Sequence, residues 1–276
     1  MPAIRIGYSA DPDDAFMLCA LMTGKVAVPG ADIEYVADDV ESLNRRARAA
    51  ELEVTAVSAA TYALVADRYR LLDCGAAMAD GPGPVVVARE PIARGDIPDR
   101  VVAIPGSHTT SSLLLRVYVP DEPALIEVAF DKIAQVVLEG QADLGLLIHE
   151  GQLTHATLGL VKVLDLGAAW RQDTSLPLPL GVNLVRRDLP EATQRELSRA
   201  LRDSIVWARA NVDEALAFAM RYARGMDADT CRRFVSLYVN DDAVTLGTRG
   251  RAALERLFTM AHHRKLIPSV PLIDPI

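Results

Sequence analysis

Short apolar strands alternate with amphipathic helices along the first two-thirds of the chain, and this alternation restricts the fold more than any other feature. Residues 4–8 have the alternating pattern of a strand, and helix-forming residues follow from Asp13 or Asp14 to Gly24. Repeated strand–helix pairs are typical of α/β domains built on a mostly parallel sheet. We therefore expect an α/β protein, and 276 residues are enough for about two domains.

The same patterns predict most other elements. Strands are expected at residues 33–36, 54–57, 70–73, 85–88, 101–104, 125–129, 143–148 and 181–185. Helices are expected at residues 42–50, 60–66, 191–210, 212–224, 228–239 and 251–262, after the loop 107–110, and from residue 133 with Asp131 as N-cap. Two strand–helix blocks with a late helical return predict two lobes. The larger lobe would comprise residues 1–88 and 183–276, and the smaller lobe residues 89–182.

Composition and charge argue against several classes of function. The 29 Lys and Arg residues against 37 Asp and Glu give a formal net charge of −8, so we expect no nucleic-acid partner. A membrane-spanning helix needs ~20 consecutive apolar residues, and runs such as 144–148 fall far short of that length. The sequence starts without a secretory signal pattern, and Cys19, Cys74 and Cys231 form no CxxC pair. We expect a cytoplasmic protein without membrane contact.

Polar residues follow three of the predicted strands at their carboxyl ends. Ser58 comes after the strand at 54–57, the loop 106–110 after the strand at 101–104, and His149 after the strand at 143–148. In open α/β sheets, ligands lie outside the carboxyl ends of the strands. The three segments are therefore expected to line one ligand site.

The loop 106–110 leads directly into a helix. The first backbone amides of a helix are unpaired and carry the positive end of its dipole, which favours a bound carboxylate or phosphate. Thr109 and Thr110 add hydroxyl donors. The loop matches neither GxGxxG nor a P-loop, and simple N-capping by Ser107 or Thr109 is the alternative interpretation.

His149 is the candidate general base, because a neutral imidazole at the mouth of a cleft can accept a proton near neutral pH. A structural histidine bonded to the backbone is the alternative. His149, Glu150 and His155 do not form an HExxH motif, so we expect no metal site.

Asp11, Asp13 and Asp14 form an acidic cluster at the first strand–helix turn. N-capping and compensation of the helix dipole explain one or two of them. A third carboxylate so close to the others requires solvent or a partner, for which a ligand donor, a cation or a distant Arg is a candidate.

Several strings of the sequence together resemble one known family. They are GYS at 7–9 with Pro12, Asp14 and Phe16, LNRR at 43–46, VTAVS at 54–58, DRYRLL at 67–72, GPGPVVVARE at 81–90, IPGSHTT at 104–110, IHEG at 148–151, KVLDLG at 162–167, LPLPLG at 176–181, RRDL at 186–189 and YVN at 238–240. Across nearly the whole chain, the sequence resembles the 1,4-dihydroxy-6-naphthoate synthases of the futalosine route to menaquinone. The resemblance implies a two-lobed α/β fold like that of type II periplasmic solute-binding proteins, with the site in the cleft between the lobes.

The resemblance also implies a reaction on a small-molecule carboxylate. It implies a carbon–carbon lyase that converts cyclic dehypoxanthinylfutalosine to 1,4-dihydroxy-6-naphthoate and dihydroxyacetone without a cofactor. The histidine of the family's His-Glu-Gly motif, here His149, is implied to be the general base. The implied substrate-binding residues are Val57, Ser58, Ala59, Thr109 and Thr110, with Asn44 and Asp14 as further polar residues of the cleft.

The first turn departs from the family pattern Ser-Pro-x-Pro-Asn-Asp-Thr-Phe. Asp13 stands where the pattern has an amide, and Ala15 stands where it has a hydroxyl. Two unit charges ~4 Å apart interact by about 4 kcal/mol at an effective dielectric of 20, so Asp13 could alter the affinity for a carboxylate substrate. Two alternatives therefore stay open. One is a related enzyme acting on another small carboxylate, such as chorismate dehydratase, and the other is a non-catalytic solute-binding protein.

Overall fold

The computed structural model describes residues 3–119, 121–149 and 151–276, which form two β-sheets covered by helices. The strands are β1 (Ile4–Ser9), β2 (Ile33–Asp38), β3 (Val54–Ser58), β4 (Tyr69–Leu71), β5 (Ala77–Ala79), β6 (Val85–Ala88), β7 (Val101–Ile104), β8 (Ala124–Glu127), β9 (Leu144–Leu147), β10 (Val161–Asp165) and β11 (Leu178–Arg186). The helices are α1 (Pro12–Met22), α2 (Val40–Arg48), α3 (Ala59–Val65), α4 (Thr110–Tyr118), α5 (Ile133–Leu138), α6 (Gly151–Thr154), α7 (Leu166–Thr174), α8 (Glu191–Ala210), α9 (Val212–Ala219), α10 (Ala228–Tyr238), α11 (Asp241–Val244) and α12 (Gly247–His263).

Both sheets are mixed, so the expectation of a mostly parallel sheet is wrong. The first sheet has the order β2-β1-β3-β11-β4 with β5 paired to β11, and the second has the order β10-β6-β9-β7-β8. Every antiparallel pair includes β6 or β11. These are the first strands that the chain forms after it passes from one sheet to the other. Parallel strands that follow each other in one sheet are joined by a crossover helix, and neither β6 nor β11 is joined to its own sheet in this way. Both strands can therefore run antiparallel to their neighbours.

Most predicted elements are present, with shifted ends. The sequence patterns did not predict β5, β10, α6, α7 or α11. Asp131 is not the N-cap of α5, because Phe130–Lys132 form a 3₁₀ turn that leads into this helix. The predicted lobe boundaries stay a prediction. In the structure, β6 pairs within the second sheet and β11 within the first.

The sheets place four loops around one space. β3, β6 and β9 are buried along their whole length, as expected for strands with helices on both faces. β1 and β3 are parallel neighbours in the first sheet, and β7 and β9 are parallel neighbours in the second. The carboxyl ends of each pair therefore lie at one edge of their sheet, and the residues that follow them line a common cleft.

Along the described parts of the chain, the helices are all too short or too polar to cross a membrane.

Candidate functional site

The cleft encloses about 750 Å³ of empty space, counted to its opening. It brings together most of the residues that the sequence singled out: Val57, Ser58, Thr109, Thr110, His149 and all three aspartates of the first turn. Asn44 and Ala59 do not line it, since both are fully buried behind its wall.

His149 lines the cleft beside the acidic turn. It follows β9 in a left-handed backbone conformation with φ of 51°, which is uncommon for a residue other than glycine. Its ring packs 4.8 Å from the ring of Phe130. Its Nε2 atom lies 3.5 Å from Oδ2 of Asp11 and, among the described residues, has no hydrogen-bond partner. A buried ring nitrogen is thus free for a ligand and has a carboxylate beside it.

Asp11 has the partners that the sequence analysis called for. Its carboxylate accepts a hydrogen bond from the Ser9 hydroxyl and lies 3.2 Å from Nη1 of Arg224. The same guanidinium donates to the carbonyl of Ala10 and lies 4.4 Å from the ring centre of Phe130. A distant Arg therefore compensates one of the three charges.

Asp13 and Asp14 are buried carboxyls that form no ion pair with any residue in the described parts of the chain. Burial raises the pKa of each to about 7, and the neighbouring aspartates add to the shift. Asp14 accepts the backbone amide of Ser9 at 2.7 Å, which partly opposes the shift of its pKa. These groups therefore change charge near neutral pH inside the cleft.

Ser58 is positioned by a buried amide. Oδ1 of Asn44 accepts the backbone amide of Ser58 at 2.8 Å, and Nδ2 of Asn44 donates to the Ser58 hydroxyl at 3.1 Å. The hydroxyl therefore accepts from Asn44 and keeps its own proton for a ligand. Asn44 acts through Ser58 rather than at the surface of the cleft.

The loop before α4 already binds two carboxylates of the protein. The amide of His108 donates to Glu41 at 3.2 Å, and the amide of Ser107 donates to Glu127 at 2.9 Å. Glu41 also lies 2.6 Å from Nδ1 of His108. An external acid group therefore has to use the next amides, those at the start of α4, which have no acceptor within the helix.

The two threonine hydroxyls of this loop are committed to the fold. Thr109 caps α4 and donates to the carbonyl of Gly106 at 2.9 Å, as the N-capping alternative proposed. Thr110 donates to the carbonyl of Leu180 at 2.7 Å and accepts the amide of Ala60 at 3.1 Å. Neither hydroxyl proton is free for a ligand, and the amide of Thr109 donates to the carbonyl of Gly106 at 3.3 Å. The amide of Thr110, at the first position of α4, therefore remains as the donor that this pair of residues can offer to the cleft.

Five further polar residues line the cleft and were not identified as site residues from the sequence, namely Ser9, Ser111, Gln152, Asn183 and Tyr238. Gln152 of α6 donates a hydrogen bond to the phenol of Tyr238 at the end of α10, and both side chains are buried. Tyr238 belongs to one of the strings shared with the family, and Gln152 lies three positions after His149. These positions were the available signal, but no local pattern predicts contact between them.

Among the residues that the structure describes, no group of three or more His, Cys, Asp or Glu side chains could hold a metal ion.

Comparison with known proteins identifies close relatives. A family model described as menaquinone biosynthesis matches residues 4–263. A 1,4-dihydroxy-6-naphthoate synthase of Thermus thermophilus is 41% identical over 271 residues, which cover 98% of both chains. A crystal structure of a protein from Archaeoglobus fulgidus is 47% identical and has a TM-score of 0.92, with 96% of this chain and 98% of that chain covered.

The fold itself is shared with solute-binding proteins. The alkanesulfonate-binding protein SsuA from Xanthomonas axonopodis, solved with bound MOPS, has a TM-score of 0.71 at 12% identity, over 99% of this chain and 96% of its own. The chain thus has the two-lobed periplasmic-binding-protein-like α/β fold, as the sequence resemblance implied.

Proposed function

The chain belongs to the menaquinone biosynthesis family, and on this basis we propose that it is a 1,4-dihydroxy-6-naphthoate synthase that acts as a carbon–carbon lyase. The substrate we propose is cyclic dehypoxanthinylfutalosine, and the products are 1,4-dihydroxy-6-naphthoate and dihydroxyacetone. No cofactor is needed in this proposal. The reaction is placed in the cytosol, and the three buried, unpaired cysteines support that placement.

One observation carries the proposal: His149 lines the cleft and has a buried ring nitrogen without a hydrogen-bond partner among the described residues. Nε2 of His149 lies beside the Asp11 carboxylate and has no hydrogen-bond partner among the described residues. A neutral imidazole in this position can take a proton from the substrate, and the carboxylate stabilises the imidazolium that forms. His149 is therefore the proposed general base.

The start of α4 is the proposed anchor for the substrate's acid group. The helix has nine residues, and Thr110 and Ser111 at its start line the cleft. Their amides have no acceptor within the helix and lie at the positive end of its dipole, whereas the amide of Ser112 is already capped by Thr109. The free hydroxyl proton of Ser58 is a further donor in the cleft. An acid group bound there need not contact the aspartates of the first turn, whose ionised forms would repel it.

The proposed reaction requires few further groups from the protein. Removing a proton from a hydroxyl or an activated carbon lets the adjacent carbon–carbon bond break, and the product ring becomes aromatic. The protein must position one base, hold the carboxylate and exclude water. A cleft between two lobes can supply the exclusion of water by closing on its substrate.

The experiment is incubation of the purified protein with the cyclic substrate and detection of the naphthoate by mass spectrometry. Chorismate is offered in parallel, because its consumption would favour the related dehydratase activity. Turnover of neither compound would contradict the proposed function.

The base is tested with His149→Asn, because asparagine tolerates the left-handed backbone at this position better than alanine does. We expect a loss of turnover of at least about 100-fold, the usual contribution of a general base. His155→Asn is the matched control, since His155 lies near His149 in the chain but does not line the cleft. Wild-type turnover by His149→Asn would contradict the role of His149.

A further inference from the structure

Gln152 presents an unpaired amide oxygen in a site where buried polar atoms are normally bonded. The residue is only 6% exposed and lines the cleft. Its Nε2 donates to the phenol of Tyr238, while its Oε1 has no partner among the described residues. A buried acceptor without a donor is costly, so this atom is suited to a ligand that brings a donor.

The cleft that Gln152 lines is also lined by three carboxyl groups. Asp13 lines the cleft near Tyr238, and its charge contributes to the raised pKa of the Tyr238 phenol. Asp11 and Asp14 belong to the same turn. A carboxyl group can accept a hydrogen bond in either protonation state, and in its ionised form it also repels the acid group of a ligand. This side of the cleft, the acceptor wall formed by Asp13 and Gln152, therefore fits uncharged hydroxyls.

A separate group of residues supplies donors. Ser58 keeps its hydroxyl proton, and the amides of Thr110 and Ser111 have no acceptor within α4. A ligand with an acid group and hydroxyl groups therefore fits the cleft in one orientation, with its acid group at the start of α4 and its hydroxyls at the acceptor wall.

We propose that Gln152, together with Asp13, binds the hydroxyl groups of the three-carbon part of the substrate that leaves as dihydroxyacetone. The inference rests on the proposed function, because that function supplies a substrate with an acid group at one end and hydroxyls at the other. Gln152 is then a specificity-determining residue that touches the leaving part and not the ring that remains. Tyr238 positions the Gln152 amide by accepting its hydrogen bond.

The product offers a direct test, because 1,4-dihydroxy-6-naphthoate keeps the acid group but lacks the three-carbon part. Gln152→Met removes the amide while keeping an unbranched side chain of similar length. We expect the KM for the cyclic substrate to rise about threefold to tenfold, the usual effect of losing one hydrogen bond to a ligand. The inhibition constant of the naphthoate product should change less than about twofold.

A second variant and a matched control distinguish a loss of ligand contact from an effect on folding. The double variant Gln152→Met with Tyr238→Phe carries the same expectation and leaves no unpaired phenol. Gln194→Met is the control, since Gln194 is also buried with an unpaired Oε1 among the described residues, but in α8 and away from the cleft. It should change neither constant. Melting temperatures of all variants report whether each is folded.

The outcomes separate the inference from the proposed function. If the wild-type protein makes no naphthoate, the proposed function fails and the inference fails with it. If the wild type is active and folded Gln152→Met keeps its KM, the inference alone is overturned. Equal changes in KM and in the product inhibition constant also overturn it, because they would place Gln152 against the part of the substrate that remains.

Discussion

The burial of the Asp13 side chain makes the free energy of unfolding of this protein depend on pH. Its pKa is about 7 in the folded chain, against an ordinary value of 3.8, mainly because burial disfavours the charged form. Between these two values the folded state keeps a proton that the unfolded state releases. The free energy of unfolding therefore falls as the pH rises through this window, and the loss is complete above the folded pKa.

Asp13→Asn removes this ionisation, so we expect it to stabilise the protein most at alkaline pH. Each unit of pKa shift corresponds to about 1.4 kcal/mol, so the gain in melting temperature should reach a few degrees at pH 8. The gain should be clearly smaller at pH 5, where Asp13 of the wild type is protonated in the folded state. Thermal denaturation of both proteins at the two pH values measures this difference.

The control for this prediction is Asp67→Asn, because Asp67 is an exposed carboxylate. It should leave the melting temperature nearly unchanged at both pH values. A gain of equal size for Asp13→Asn at pH 5 and pH 8 would show that the substitution acts through packing and not through charge.

The sequence could identify the acidic turn but not the state of its side chains. Three carboxylates in four positions are visible in the string, and their need for a partner follows from like-charge repulsion. The partner Arg224 lies 213 positions from Asp11 in the sequence, and the Tyr238 phenol packs near Asp13 from another distant helix. Burial and pairing of this kind arise only when remote elements pack together.

At the level of elements, the connection from β7 to α4 depends on the lack of a side chain at Gly106. This residue has φ of +152°, which other residues rarely adopt. A Cβ atom built there would lie 2.4 Å from Cγ of Glu41. Glu41 needs that space because its carboxylate binds His108 of the same loop.

Gly106→Ala should therefore destabilise the protein by about 1–3 kcal/mol, through backbone strain and displacement of Glu41. Chemical denaturation followed by circular dichroism measures the change. Gly95→Ala is the matched control, since a Cβ atom at Gly95 meets nothing within 4 Å and the backbone there is unstrained. A cost at Gly106 no larger than at Gly95 would contradict this account of the loop.

The elements themselves were predictable where the pattern is long and periodic. α8 has both ends at the predicted residues, because its twenty residues repeat an apolar face over several turns. β5 has only three residues, too few for a period to show. The hydrogen bond of the Thr110 hydroxyl could not be predicted either, because its acceptor, the carbonyl of Leu180, lies 70 positions away in the sequence.

At the level of the whole molecule, a series of side-chain contacts connects the two sheets beside the cleft. Phe130 follows β8 of the second sheet, whereas Arg224 precedes α10 and pairs with Asp11 after β1 of the first sheet. The guanidinium lies over the Phe130 ring, and that ring packs against His149. The two halves of the molecule thus meet directly at the proposed base.

Phe130→Leu keeps an apolar side chain at this place but removes both ring contacts. A cation–π contact contributes about 0.5–2 kcal/mol, so we expect kcat/KM to fall about threefold to tenfold as His149 and Arg224 lose their common support. The melting temperature should change little, because the turn that carries Phe130 has no buried residue. Steady-state kinetics and thermal denaturation measure the two effects separately.

Phe218→Leu tests whether such a loss is specific to the cleft. Phe218 also lies under a guanidinium, that of Arg221 at 4.9 Å, and packs against the ring of Tyr222, but it does not line the cleft. This variant should keep the wild-type kcat/KM. If both variants lose activity equally, or if Phe130→Leu loses none, then closure over the base does not depend on Phe130. In that case the ion pair between Asp11 and Arg224, and not the Phe130 ring, would be the contact that holds the two halves of the molecule together near His149.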